Sequence, residues 1–404
     1  MKFSENIDKY KESLIKLRED LNKTLEKGQL DENFEEKLLE LEKRESKILK
    51  ELLPYYRQLA PEIYPTKIDE IPVKANGTYK LSTYLKSYLG IDQNIFILAS
   101  VDQKVQFMRI SEDNYKIELS QPIKNFNKLI VYMSALSLDK ILLFAVTGDI
   151  FVFQSNDFAG VFENIKNLKK YKLGKINQGF ENIIKIEEKK FLCQIGANKF
   201  LVLEIDSINL SFEIKKRIDL SKTAQELNSL AKINDSYLGL GSNLGELLLA
   251  KYKEDELIID KKIKILDSPI DYLTSLENEK LEKNICLGIG DKKNFFLYDL
   301  DREKILNLEN QNFKGNIYNI ESKKGSAIVL TDDFYLYLLE ENMGKWTLNQ
   351  QFSTSDRYYV NVIALSSSNY LTIDLNGNFQ ILKIDRLDSI EKLRNIDLIS
   401  HRRL

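Results

Sequence analysis

One phrase recurs along this chain and limits what it can fold into: two short apolar runs separated by a turn rich in Asp, Asn and Gly. It reads YLTIDLNGNFQILKID at residues 370–385. It also reads NIFILASVDQKVQFMRI at 94–110, KILLFAVTGDIFVF at 140–153 and KFLCQIGANKFLVLEID at 190–206. Further copies are SYLGLGSNLGELLLAKY at 236–252, NICLGIGDKKNFFLYDL at 284–300 and SAIVLTDDFYLYLLE at 326–340. Such turns supply the positive backbone angles of tight hairpins, so each copy is expected to form a β-hairpin. Asp102, Gly148, Asn198, Asn243, Asp291, Asp332 and Asn376, one turn residue from each, are separated by 46, 50, 45, 48, 41 and 44 residues. A period of roughly 40–45 residues with four strands per unit marks a propeller blade. Weaker runs fit the other two strands. Outer candidates are NLSFEIKKRI at 209–218 and ELIIDKKIKIL at 256–266; inner candidates are NKLIVYMSAL at 127–136, GNIYNIES at 315–322 and YYVNVIAL at 358–365.

Apolar hairpins laid out in a row would expose strand edges that aggregate. Radial packing buries their broad faces, and closing the ring protects the edges. Closure calls for a strand from one terminus to complete the blade at the other, and residues 68–74 and 394–400 are the candidates. FFLYDLDREKIL at 295–306 resembles the third strand, Asp-bearing turn and fourth strand of a WD40 repeat, and VLEIDSINLSF at 202–212 and ILKIDRLDSI at 381–390 place an Asp at the same point. The resemblance to WD40-like propellers covers roughly residues 78–400. With a single Trp (Trp346) and a single His (His401), the chain lacks that family's repeated Gly-His and Trp-Asp pairs, and with them the buried hydrogen-bond network those pairs make. The expected fold is mainly β: a seven-bladed β-propeller at residues 78–404, a linker at 61–77, and an N-terminal antiparallel α-helical hairpin or coiled coil at 1–60.

The hairpin is read from two apolar seams. Ile7, Tyr10, Leu14, Leu17, Leu21 and Leu25 fall on one helical face, and Gly28 follows them. Phe34, Leu38, Leu41, Glu45, Ile48, Leu52, Tyr55 and Leu59 then step by four and three, a heptad seam with one polar break at Glu45. Pro54 is expected to kink or end the second helix. Such a hairpin must bury its seams on the next domain, on a partner helix or on a second copy, so self-association through residues 1–60 is one expected outcome.

Several chemistries are disfavoured. The net charge is −2, without the basic excess of a dedicated nucleic-acid binder, so direct nucleic-acid contact is not expected. One histidine, in the terminal SHRRL, supports neither a Ser-His-Asp triad nor a multi-histidine metal site. Cys193 and Cys286 lie in apolar runs and read as buried free thiols, which fits a reducing, cytoplasmic setting. No signal-peptide core or membrane-spanning run is apparent. GLGSNLGE at 239–246 mimics part of a dinucleotide fingerprint, but a hairpin turn offers phosphate no helix N-terminus. DLNGNFQ at 374–380 lacks the closing Glu of a calcium loop. ENMGKWT at 341–347 resembles one degenerate Asp-box of sialidase-type propellers, and Trp346 is read as packing between blades. No catalytic residue, cofactor or metal ligand is assigned.

A non-enzymatic protein–protein interaction scaffold or regulatory subunit is the expected function, with loops on a rigid disk carrying specificity. Partner-binding candidates are the turn residues Asp102, Gln103, Asn198, Asn243, Lys292, Asp332, Asp333 and Asn376. Lys169, Lys170, Tyr171 and Lys172, in the densest basic stretch, are read as an exposed loop that could meet an acidic partner or RNA. The alternatives are an enzyme or ligand-binding propeller with a mouth lined by carboxylates and Tyr, and an accessory subunit of a prokaryotic nucleic-acid-directed complex.

Overall fold

The computed structural model describes residues 12–17, 19–20, 23, 34–58 and 67–385, apart from 77–84, 93, 112–115, 125, 277–283, 291–293, 307–312, 314, 324, 334, 343–344, 354–358, 367 and 375. The chain divides into two compact units, one of residues 1–69, 342–345 and 384–404, the other of residues 70–341 and 346–383. In the first unit, residues 12–17 are helical and a second helix spans Phe34–Gln58. Leu14, Leu17, Leu41, Glu45, Leu49 and Leu52 are buried. Leu49, not Ile48, takes the fully buried place after Glu45, as a straight helix of 3.6 residues per turn drifts away from a strict heptad. The helix also continues past Pro54 to Gln58, because losing one N–H donor so near the end leaves the last turn standing.

The second unit is a seven-bladed β-propeller. Successive blades span residues 85–119, 130–175, 182–219, 227–264, 270–306, 317–353 and 359–385, each a separate sheet in which consecutive strands are neighbours. Middle strands such as Ile95–Ser100, Ile285–Gly290 and Ser326–Thr331 are buried at every position. Alternate side chains there face the blade before and the blade after, so neither face meets water. The outer strand Ser211–Asp219, by contrast, is mostly exposed or half-buried. Trp346 packs among Leu287, Leu297, Val329 and Leu339, in the apolar cluster shared by the fifth and sixth blades.

The ring closes through the N-terminal side. The strand Lys67–Pro72 is the fourth strand of the seventh blade, beside Phe379–Asp385. One residue later, Lys74–Asn76 pairs in parallel with Lys116–Leu119 and becomes a fifth strand of the first blade. Phe96, Leu98 and Met108 of the first blade share a cluster with Ile363, Leu371 and Ile381 of the seventh, and Ile71 and Val73 pack against it. Of the two closure segments, 68–74 therefore lies at the seam, while 394–400 is outside the described residues.

Repetition extends to turn chemistry. Asp299 Oδ1 accepts from the backbone N–H groups of Asp301 and Arg302, both at 3.0 Å. Asp206 Oδ1 does the same for Ile208 at 2.9 Å and Asn209 at 3.0 Å. The Asp at the end of the third strand thus fixes the turn into the fourth. Gly148 and Gly245 stand at equivalent middle turns with φ +84° and +77°. Their carbonyls accept from the N–H of Ile176 at 2.9 Å and of Ile265 at 3.0 Å, where the chain leaves for the next blade. A Cβ at either glycine would lie 2.3 Å or 2.1 Å from the carbonyl oxygen of Ile176 or Leu266, so only glycine fits.

Candidate functional site: the central channel

Polar side chains on the innermost strands converge on the propeller axis. Six of these seven strands carry a register shift at their second residue: Lys86, Val131, Asn228, Asp271, Tyr318 and Val360. Such bulges re-aim side chains and sharpen strand twist. Just beyond the bulge stand Ser87, Tyr132, Ser229, Tyr272, Asn319 and Asn361, the same register position in each blade.

Some of these groups tie blade to blade around the channel. Ser87 Oγ donates to the Ile130 carbonyl at 3.2 Å, and Ser229 Oγ donates to the Ile270 carbonyl at 2.8 Å. Asn182 Nδ2 donates to the Asn228 carbonyl at 3.3 Å, and the Tyr318 hydroxyl donates to the Tyr359 carbonyl. At the seam, Leu85 N–H donates to Asn361 Oδ1 at 3.0 Å across 276 residues of sequence.

The same strands line a cavity of about 600 Å³. Its wall includes Lys86, Tyr88, Tyr132, Asp271, Tyr272, Tyr318, Glu321 and Asn361. Tyr272 is 42% and Tyr318 39% exposed, and both are exposed to the channel and not to an outer face. Ile289, from the second strand of the fifth blade, also lines it, so the cavity reaches outward between the fifth and sixth blades.

Glu321 is the electrostatic centre of this cavity. Protein surrounds it, and burial pushes its carboxyl up to about 7, against the opposing pull of the Tyr88 hydroxyl and the Lys323 charge. Tyr88 is raised well above its ordinary value by burial and by the Glu321 charge to which its hydroxyl bonds. Tyr272 is pushed up to about 12 by burial and the same carboxylate. Among the described residues, no cation lies within ion-pair distance of Glu321. The arrangement holds the Glu321 carboxyl, its acidity weakened by burial, inside an aromatic wall, a setting that stabilises an incoming positive charge.

The sequence-derived candidates fall elsewhere, at the turns joining second to third strands. Asp102 and Gln103, Asn198, Asn243, Asp332 and Asp333, and Asn376 occupy equivalent turns of five blades on one face, while Lys292 lies outside the described residues. They meet in no common cluster: Asp102, Asp333 and Asn376 bond within their own turns, while Asn198, Asn243 and Asp332 bond to the segments that lead into inner strands. Asp102 accepts from Ser100 Oγ and pairs with Lys104 at 2.6 Å. Gln103 adopts φ +65°. Asn198 Nδ2 donates to the Ala224 carbonyl at 3.3 Å, and Asn243 Nδ2 donates to Glu226 at 3.3 Å. Both Asp332 oxygens accept from Asn316 at 2.7 Å, Asp333 accepts from Thr331 Oγ1 at 2.7 Å, and Asn376 N–H donates to Asp374 at 2.8 Å. The same face carries exposed Val101, Val146 and Leu244 at three of these turn positions. The channel cavity lies at this end too: Leu85, Ile130, Ile270 and Ile317, which start their inner strands, pair with Ser100, Ala145, Gly290 and Thr331 beside those turns.

The basic stretch is a strand, not a loop. Lys169–Lys175 pairs antiparallel with Asp149–Gln154 as the outer strand of the second blade. Tyr171 packs against the cluster between the second and third blades. Lys172 pairs with buried Asp149 at 2.6 Å, Lys128 joins it at 3.2 Å, and Lys170 donates to the Lys124 carbonyl at 2.9 Å. Burial would raise the Asp149 carboxyl, but Lys172, Thr147 and Lys128 together hold it well below the usual range. Strand pairing explains the departure: alternate lysines face solvent while Tyr171 turns inward.

Cys193 and Cys286 are buried and free, and burial raises both thiols, Cys286 to about 12. Among the described residues, no group of three His, Cys, Asp or Glu side chains could hold a metal ion, and no helix is long and apolar enough to cross a membrane. The chain matches no protein-family model and no curated protein.

Proposed function

We propose that this chain is a non-enzymatic interaction scaffold, a divergent WD40-like propeller that binds a protein partner on the face bearing the middle turns. The observation that carries this reading is the composition of that face: Val101, Val146 and Leu244 stand 51%, 37% and 48% exposed at equivalent turns, beside the open channel cavity. Hairpin geometry requires none of these three to be apolar. Apolar groups set among polar turn residues are the composition of a protein-binding patch. The Asp-bearing turns at Asp206 and Asp299 support the WD40-like reading. In this reading residues 1–60 pair as a helical hairpin that docks a partner or a second copy.

The test is affinity capture from the native cell with three proteins: the unaltered chain, the double variant Val101→Asp/Leu244→Asp, and Leu138→Asp. Leu138 is 99% exposed at a turn on the opposite face and serves as the control. A partner held by the unaltered chain and by Leu138→Asp, and lost by the double variant, supports the reading. Equal capture by all three contradicts it.

A further inference from the structure

The cavity has contents that a scaffold face alone does not require. Apolar side chains would fill a purely structural channel, yet this one presents Tyr88, Tyr132, Tyr272 and Tyr318 together with the carboxylates of Asp271 and Glu321. The strand Ile317–Lys323 runs inward from the middle-turn end, since Ile317 pairs with Thr331 beside the turn. Tyr318 therefore stands near the mouth and Glu321 three residues deeper, about 10 Å at ~3.3 Å per residue. Tyr272 and Asp271 stand at the mouth of the fifth blade, and Tyr88 lies at depth beside Glu321. A guest entering here passes Asp271 and the rings of Tyr272 and Tyr318 first and meets Glu321 last.

We propose that the channel is a binding site for an alkylammonium group, the ammonium seated against Glu321 and its alkyl stem held among Tyr88, Tyr132, Tyr272 and Tyr318. Three features fit this chemistry. The wall is aromatic on several sides, and ring faces attract organic cations, more strongly where water is excluded. The carboxylate supplies a charge-assisted hydrogen bond at the end of the path. The depth suits a straight alkyl chain and not a compact, strongly hydrated ion. An anionic guest would meet Asp271 at the entrance and Glu321 at the floor, with Lys86 alone among the described residues of the cavity wall to offset them. The inference goes beyond the scaffold reading, because it holds whether the ammonium belongs to a free amine or to a lysine of a partner chain.

The experiment is calorimetric titration of the full chain with n-butylammonium, with its neutral analogue 1-pentanol, and with the peptide Gly-Gly-Lys-Gly-Gly. The groups facing Glu321 are Tyr88 and Lys86 on one strand, Tyr272 and Asp271 on another, and Lys323 on its own. Burial pushes the Glu321 carboxyl up to about 7. Butylammonium should therefore bind about tenfold more tightly at pH 8 than at pH 6, as the ionised fraction of such a group rises. Pentanol should bind at least tenfold more weakly than butylammonium and show no such dependence. Glu321→Gln, which keeps the size and the bond to Tyr88, should lose the preference for the cation. Tyr272→Leu, at a half-exposed position, should weaken it several-fold while leaving the melting temperature unchanged. If the peptide binds as well as the free amine, the guest is a partner's lysine; if only the amine binds, the guest is a small molecule, and both results support the site. Equal binding of amine and alcohol, or unchanged binding by folded Glu321→Gln, would overturn it. So would the absence of binding by amine and peptide alike.

Discussion

Replacing Asn361 by Ala probes the ring at its one topological seam. Asn361 Oδ1 accepts from Leu85 N–H at 3.0 Å, and its Nδ2 reaches the Leu85 carbonyl at 3.5 Å. The first contact joins residues 276 apart in sequence, so no local structure can preserve it once the ring opens. Ala leaves the Leu85 N–H without its acceptor in a partly buried wall. The expected loss is about 1–2 kcal/mol, the net worth of a hydrogen bond plus part of the cost of stranding a donor, since channel water can repair some of it. Ser87→Ala is the matched control: its bond to Ile130 at 3.2 Å also joins adjacent inner strands, but within 43 residues. Urea unfolding followed by tyrosine fluorescence and circular dichroism gives both free energies. If this contact forms after the transition state, Asn361→Ala should also raise the unfolding rate about 5- to 30-fold. A loss below about 0.3 kcal/mol, or an effect on rate no larger than that of Ser87→Ala, would refute the view that this bond helps to hold the seam.

Three further outcomes are expected. Gly245→Ala should destabilise the chain by more than about 1 kcal/mol, because φ +77° and a carbonyl oxygen 2.1 Å from the new Cβ oppose the methyl group; thermal unfolding reads this directly. Glu321 has a raised folded pKa, so its stabilising contribution is complete below the ordinary 4.5 and lost as pH rises through about 7. Glu321→Gln should therefore gain stability over the parent at pH 8 and not at pH 4, by on the order of 1–3 kcal/mol in urea titrations. Asp149 has a depressed folded pKa, so its contribution is present above the ordinary 3.8 and fades as pH falls through the lower folded value. Lys172→Ala should move that fade toward higher pH in acid-unfolding curves.

The blades were legible because their middle strands obey two strong rules at once: apolar continuity and Asp, Asn or Gly at the turn. Ile95–Ser100 and Ser326–Thr331 show this plainly, buried at every position as both faces are covered. The inner strands NKLIVYMSAL, GNIYNIES and YYVNVIAL were legible as strands and correspond to Ile130–Ser137, Ile317–Lys323 and Tyr359–Ala364. Their shared function was not. Tyr132, Tyr272 and Glu321 converge only after seven sheets close round an axis, and no local pattern marks convergence. A signal was available in hindsight of the spacing alone: Ser87, Tyr132, Ser229, Tyr272, Asn319 and Asn361 repeat at the blade period, each polar or aromatic just inside an inner strand. The turn residues drew attention because they were polar and repeated. Asp333 and Asn376 show what that repetition also serves, since hydrogen bonds within the turn demand the same residue types. Lys169–Lys172 was misread because charge density outweighed the alternation that buries one face of Tyr171.

A closed ring of seven blades underlies every functional statement above, because only closure brings the inner strands to one axis. Leu85→Cys/Asn361→Cys tests this most directly, using a short bismaleimide on the folded chain. The native thiols, Cys193 and Cys286, are fully buried and should stay silent until the protein unfolds. A closed ring should give an intramolecular cross-link in high yield, with a covalent loop of 276 residues, faster gel migration and both engineered cysteines in one peptide pair by mass spectrometry. Cross-linking only between separate molecules, or none at all, would contradict it.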